Sequence, residues 1–158
     1  MKKALTISAI LMAGVLAFSG CKNKADDEFV DLGLPSGTLW KISNTKIFCT
    51  YDEALQAIGG QLPTKEQFEE LISQCDWTWL DSGGYLVKGK NGNSISLPAN
   101  GQKYGNEVAD ARGVGAYWSR TTKGEGELVY YMEFTSERHE IDWTGKSGPF
   151  QCSLRLVK

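Results

Sequence analysis

The stretch Gln61 to Leu80, QLPTKEQFEELISQCDWTWL, constrains the fold more than any other part of the chain. Its first half carries the marks of a capped amphipathic helix. The Thr64 hydroxyl can accept a hydrogen bond from a first-turn N–H. Gln67, three residues on, can reach back, which makes a capping box. Pro63 keeps the chain before the cap extended. Glu66, Glu69 and Glu70 place negative charge toward the N-terminal half, where the helix dipole favours it. Phe68, Leu71, Ile72 and Cys75 recur at helical spacing on one face, and Lys65, Glu66, Glu69, Glu70, Ser73 and Gln74 fall elsewhere. One stripe is therefore buried and the remainder is wet. The pattern then switches to period two, with Trp77 and Trp79 on one side of a strand.

The same logic extends outward. Thr50 and Glu53 form a second capping box, Tyr51, Ala54, Leu55 and Ile58 make an apolar face, and Gly59-Gly60 supplies a stop, so a short helix is predicted over Thr50 to Ile58. Val30 to Trp40 is punctuated by Gly33, Pro35 and Gly37 and reads as two short strands around a turn. Ile42 to Phe48 is ambiguous. Tyr85 to Val87 and Ser94 to Leu97 read as a hairpin across Asn91-Gly92, since both turn residues tolerate positive φ. Ala99 to Gly115, rich in Gly, Asn and Ala, reads as a long loop. Tyr117 to Ser119 reads as a short strand, Leu128 to Thr135 as a clearly alternating one, His139 to Trp143 as the next, Thr144 to Phe150 as a loop, and Ser153 to Val157 as the last strand. Two helices followed only by strands predict an α+β domain, with two short helices packed on antiparallel sheets.

The N-terminus has a different character. Lys2 and Lys3 precede an apolar run from Ala4 to Phe18, which at about fifteen residues is short of the roughly twenty needed to span a bilayer. The chain then reads Phe18-Ser19-Gly20-Cys21, and small residues before a cysteine resemble the lipobox of a bacterial lipoprotein signal peptide. The expected organisation is a signal peptide over residues 1–20, a polar tether over 21–28 and a single domain over 29–158. Cys21 is the expected lipidation site, and the membrane is a partner through that anchor. Removal of residues 1–20 takes away two lysines and no acids, so formal net charge goes from −2 to −4. A chain of that charge lacks the basic surface that nucleic acid requires.

Four segments carry a resemblance: FVDLGLPSGTLW (29–40), LPTKEQFEELISQCDW (62–77), NGNSISLPANGQKYG (91–105) and GAYWSRT (115–121). Together they resemble the Fibrobacter succinogenes major paralogous domain, a family of surface and secreted proteins in Bacteroides-like bacteria. That resemblance implies a C-type-lectin-like domain, similar also to formylglycine-generating enzymes, whose last strand pairs beside the first. It places Trp40, Trp77 and Trp118 in the scaffold. Relative to the family, the segment after Trp40 is short. The acidic run Asp26-Asp27-Glu28 resembles export signals that carry lipoproteins to the outer face of the cell. The expected location is the cell envelope, lipid-anchored at the outer membrane, on either its periplasmic or its outer face.

Chemistry is harder to find. His139 is the one histidine; on a strand it shares a face with Ile141, while Glu140 and Asp142 share the other, either as a carboxylate pair for calcium or a sugar or, the reading favoured here, as a solvent face. The calcium-dependent C-type lectins use E-P-N or Q-P-D and W-N-D motifs, whereas here Pro98 lies between Leu97 and Ala99. Cys49, Cys75 and Cys152 do not form the copper-holding pair of the formylglycine-generating enzymes. No catalytic residues, metal or cofactor are assigned, and the chain is read as a non-enzyme. In a disulfide-permissive compartment the three cysteines allow one bridge and one leftover, and their spacing does not choose the pair. The aromatics are the better clue. Five tryptophans and six tyrosines are many for 158 residues, and exposed aromatics stack on sugar rings or anchor protein partners. Tyr104, Arg112, Trp143 and Phe150 lie in or beside the expected long loops and are the candidate ligand-binding residues. The expected role is non-catalytic binding of a glycan or a surface protein. The alternatives are a structural or adhesive component of a surface assembly, or a degenerate enzyme of the formylglycine-generating type.

Overall fold

The computed structural model describes residues 29–158. The expected signal peptide, Cys21 and the tether lie outside the described residues. Elements run β1 (Phe29–Asp31), β2 (Leu39–Lys41), β3 (Lys46–Cys49), α1 (Tyr51–Ile58), a 3₁₀ turn (Gly59–Gln61), α2 (Lys65–Gln74), β4 (Asp76–Trp79), β5 (Gly84–Lys88), β6 (Ser94–Pro98), β7 (Gln102–Tyr104), β8 (Glu107–Ala109), β9 (Gly115–Lys123), β10 (Leu128–Phe134), β11 (His139–Gly145) and β12 (Phe150–Leu154). The fold is mixed: two short helices against mostly antiparallel sheets.

Both helices start where their side chains dictate. The Thr50 and Thr64 hydroxyls accept from the Glu53 and Gln67 N–H groups, and each N3 side chain accepts from the cap N–H in return. Phe68 and Leu71 are fully buried, with Ile72 and Cys75 packed beside them. Burial of each large side chain is worth about 1.5–3 kcal/mol, which is what holds a ten-residue helix that would fray alone.

The large sheet has strand order β11-β10-β9-β12-β7-β8, with β3 added on β12. Strands β4, β5 and β6 make a separate antiparallel sheet, and β1 pairs with β2. Alternation along β10 divides the core. Met132 and Phe134 face a cluster with Phe68 and Leu71 of α2 and Tyr85, Val87, Ile95 and Leu97 of the small sheet. Val129 and Tyr131 face a second cluster with Tyr51 and Ala54 of α1, Leu62, Cys49, Trp118, Cys152 and Leu154. The sheet is thus covered on both faces. The C-terminus closes the fold: Val157 bridges Trp40, and Leu39 and Lys158 exchange N–H···O bonds of 2.8 and 3.0 Å. The resemblance implies a last strand paired beside the first; instead β12 pairs with β3, β7 and β9, and the segment after it meets β2 through the isolated Trp40–Val157 bridge.

Several boundaries differ from expectation. The stretch Ala99 to Gly115 is not one loop, since it contains the β7–β8 hairpin. Three-residue strands show no periodicity against their Gly- and Asn-rich surroundings. Strand β9 is nine residues long rather than three. Its first five residues are all buried, so no alternation marks it. The last regular strand, β12, begins at Phe150 and ends at Leu154, with Val157 reduced to a bridge. Among the described residues no helix is long and apolar enough to cross a membrane.

Candidate functional site

The four candidate residues do not share one surface. Trp143 lies on β11 directly opposite Tyr130 of β10, so both project to the face covered by α2. Phe150 opens β12 opposite Tyr104 of β7. Its ring packs against Trp118 and Tyr131, at centroid distances of 5.7 and 5.2 Å, on the α1 face. Phe150 is half-buried, whereas Tyr104 is 66% exposed and has the exposed Val108 near it on the hairpin. Arg112 sits in the turn after β8. Asp110 and Arg112 both adopt positive φ, 56° and 70°, a region uncommon for residues other than glycine. The Arg112 N–H donates to the Ala99 carbonyl (2.8 Å), and a Cβ on Gly83 would lie 2.8 Å from the Arg112 carbonyl oxygen. The turn is thus braced on the Gly83 backbone. The structure brings Tyr104 and Phe150 together, and places Trp143 on the opposite face.

Around Trp143 the structure assembles a platform. Trp143 is 47% exposed. The Lys123 ammonium, at the end of β9, lies 4.0 Å from its ring centroid and 5.9 Å from that of Tyr130. The Lys65 ammonium, from the first turn of α2, lies 5.6 Å from the Tyr130 ring and also pairs with Glu69. A cation held over an aromatic face at an exposed site is worth about 0.5–1 kcal/mol. The arrangement is an exposed indole with the Lys123 ammonium over one of its faces and the Lys65 ammonium over the neighbouring Tyr130 ring. A sugar ring can stack on the indole face that Lys123 leaves open while the lysines donate to hydroxyls or acidic groups. Lys65, Lys123 and Tyr130 escaped notice in the sequence because strand register, not spacing, joins them to Trp143. The one local signal was the alternation of β10, which puts Tyr130 on the same side as Met132.

The acidic residues of β10 and β11 have partners of their own. Glu140 and Glu133 pair with Arg138 at 3.0 and 3.3 Å, and Glu133 also accepts from Gln102. Asp142 accepts from the Tyr131 hydroxyl at 3.4 Å. Burial raises the Glu133 carboxyl above its ordinary range despite Arg138, and burial together with Asp142 raises the Tyr131 phenol. Among the described residues no group of His, Cys, Asp and Glu is arranged to hold a metal ion. His139 stacks on Trp77 at 4.6 Å with the planes 11° apart, and burial lowers its pKa. Burial pushes the Cys75 thiol up to about 11, the wrong direction for a nucleophile.

Compared with protein-family models, with curated proteins and with solved structures, the chain matches none.

Proposed function

We propose that this chain is a non-catalytic binding module of the cell envelope, a lipoprotein anchored through Cys21, that recognises a glycan or a surface protein. The reading includes a C-type-lectin-like domain of the kind the four sequence segments resemble, and an outer-membrane, surface-exposed location. The observation that carries it is Trp143, a large aromatic left exposed beside Tyr130 with the ammonium groups of Lys123 and Lys65 around it. Keeping such a side chain in water forgoes burial energy, and a ligand that stacks on it recovers that energy.

The test is a screen of the chain against a broad glycan array, with and without calcium, followed by the Trp143→Ala variant on any glycan bound. Calcium-independent binding that Trp143→Ala weakens supports the reading. Silence across the array, with no envelope protein retained in a pull-down, sinks it. The anchor is tested separately: Cys21→Ala should release the chain from the membrane fraction.

A second reading, a structural or adhesive component of a surface assembly, is favoured by the β8 edge. Glu107, Val108 and Ala109 are all exposed on the last strand of the large sheet, and open edges pair with other strands. Concentration-dependent self-association abolished by Val108→Lys would favour this reading over the first.

A further inference from the structure

Strand β3 has one neighbour in the sheet, β12, and its last residue, Cys49, is the register partner of Cys152. Both side chains are fully buried in the cluster under α1, between Tyr51, Trp118 and Leu154. The Cys49 Sγ lies 3.8 Å from the Cys152 carbonyl oxygen, so its thiol is directed along the strand pair. Residues directly opposed on antiparallel strands have Cα atoms about 4.5–5.5 Å apart, within the roughly 4.4–6.8 Å that a disulfide spans. Cys152↔Cys49 is a direct register pair, and the register shifts only after it, between Cys152 and Leu154. Cys75 is not a competitor: it ends α2 and packs in the other cluster, against the opposite face of the sheet.

We propose that Cys49 and Cys152 are a disulfide-forming pair that locks β3, and with it the start of α1, onto the closing strand. The chemistry is thiol–disulfide exchange with a small-molecule disulfide, R–S–S–R. One cysteine thiolate attacks it, forming a mixed disulfide and expelling R–S⁻. The second thiolate attacks the protein sulfur of that mixed disulfide and expels the other R–S⁻. The two protein thiols lose two electrons and two protons, and R–S–S–R becomes two R–SH. Burial raises the Cys152 thiol well above its ordinary value, so the exchange belongs to folding, before β3 docks. Once the pair is sealed under α1, a reductant has little access to it. The inference does not depend on what the module binds.

The test uses the full chain, unfolded and then refolded in a mixture of glutathione and glutathione disulfide. Thiols are blocked with iodoacetamide under denaturing conditions and the peptides are mapped without reduction. The expected result is one cross-linked peptide pair containing Cys49 and Cys152, two hydrogens lighter than its parts, with Cys75 and the unlipidated Cys21 both alkylated. Alkylation of both Cys49 and Cys152, or a bridge from either to Cys75, overturns the proposal. A second measurement guards against a folding defect in any one variant. Cys49→Ala and Cys152→Ala should each lower the non-reduced melting temperature by roughly 10 °C, and the double variant only a little further, because either single substitution already removes the bond. Additive decreases would mark two independent core thiols and overturn the proposal as well.

Discussion

At the scale of single residues, exposure separates side chains that the sequence makes look alike. Trp118 is fully buried and its indole N–H donates to the Cys49 carbonyl at 2.8 Å, whereas Trp143 stands half in water under the Lys123 ammonium. Trp118→Ala should therefore cost about 3–5 kcal/mol of unfolding free energy, the range for a truncated core aromatic. Trp143→Ala should cost about 1 kcal/mol or less, the loss of one exposed cation–π contact. Urea titration of the two variants checks this contrast, and a Trp143→Ala chain that fails to fold would remove Trp143 from the candidate site. His139 makes a second prediction. Its folded pKa is lowered by burial from the ordinary 6.5, so in the window between the two values the unfolded chain binds the proton more tightly. This contribution is complete above the unfolded value and is lost as pH falls through that window. The urea midpoint should drop as pH falls through the ordinary histidine value of 6.5 and below it, and His139→Gln should flatten that step.

At the scale of elements, the helices and the β5–β6 hairpin were legible and pairing between distant strands was not. The α2 cap, its stripe and the change of period at Trp77 are local, so each could be read from neighbours a few residues away. The β7–β8 hairpin, the full length of β9 and the parallel contact of Ser153 with Tyr117 depend on residues far apart in the chain. The candidate site divides the same way. Trp143 could be singled out as an aromatic, but the lysines beside it arrive from the end of β9 and the start of α2. Two substitutions test the elements themselves. Thr64→Ala removes the capping hydroxyl and should cost about 1 kcal/mol. Gly115→Ala would place a Cβ 2.0 Å from the Phe134 ring, which is already stacked on Tyr117 and edge-on to Tyr85. With no room to yield, overpacking should cost about 1–3 kcal/mol. Thermal melts of the two variants rank the effects, and a Gly115→Ala chain as stable as the parent would show that the Phe134 ring can move.

At the scale of the whole molecule, one buried cation joins the parts. Arg155, in the closing segment SLRLV, is fully buried. Its guanidinium donates to the carbonyls of Lys41 and Ile42, just at and beyond the end of β2, each at 2.6 Å, and to the Ser96 carbonyl of β6. It therefore ties the first hairpin, the small sheet and the C-terminus to one another. Burial lowers the Arg155 pKa, and the Tyr117 oxygen beside it opposes that shift. A guanidinium keeps its charge under such conditions, because its ordinary pKa is far above neutrality. Its hydrogen bonds to carbonyl dipoles offset much of the desolvation cost, and charge-assisted bonds of this kind are the strong ones. Arg155→Leu removes the buried cation and also strips three carbonyls of a charge-assisted donor. The expected loss is about 1–3 kcal/mol, the range for acceptors left without a donor, a sizeable part of a domain stability of about 5–15 kcal/mol. Arg155→Lys should recover only part of it, since one ammonium cannot reach three carbonyls set by a planar fork. Hydrogen exchange distinguishes this from a local defect. In Arg155→Lys the amides of Leu39, Lys41 and Lys158, which bond across the chain closure, should lose protection together, while those inside α2 keep theirs. Loss confined to the segment around Arg155 would mean that the closure is held by packing of Trp40 and Val157 rather than by the buried charge.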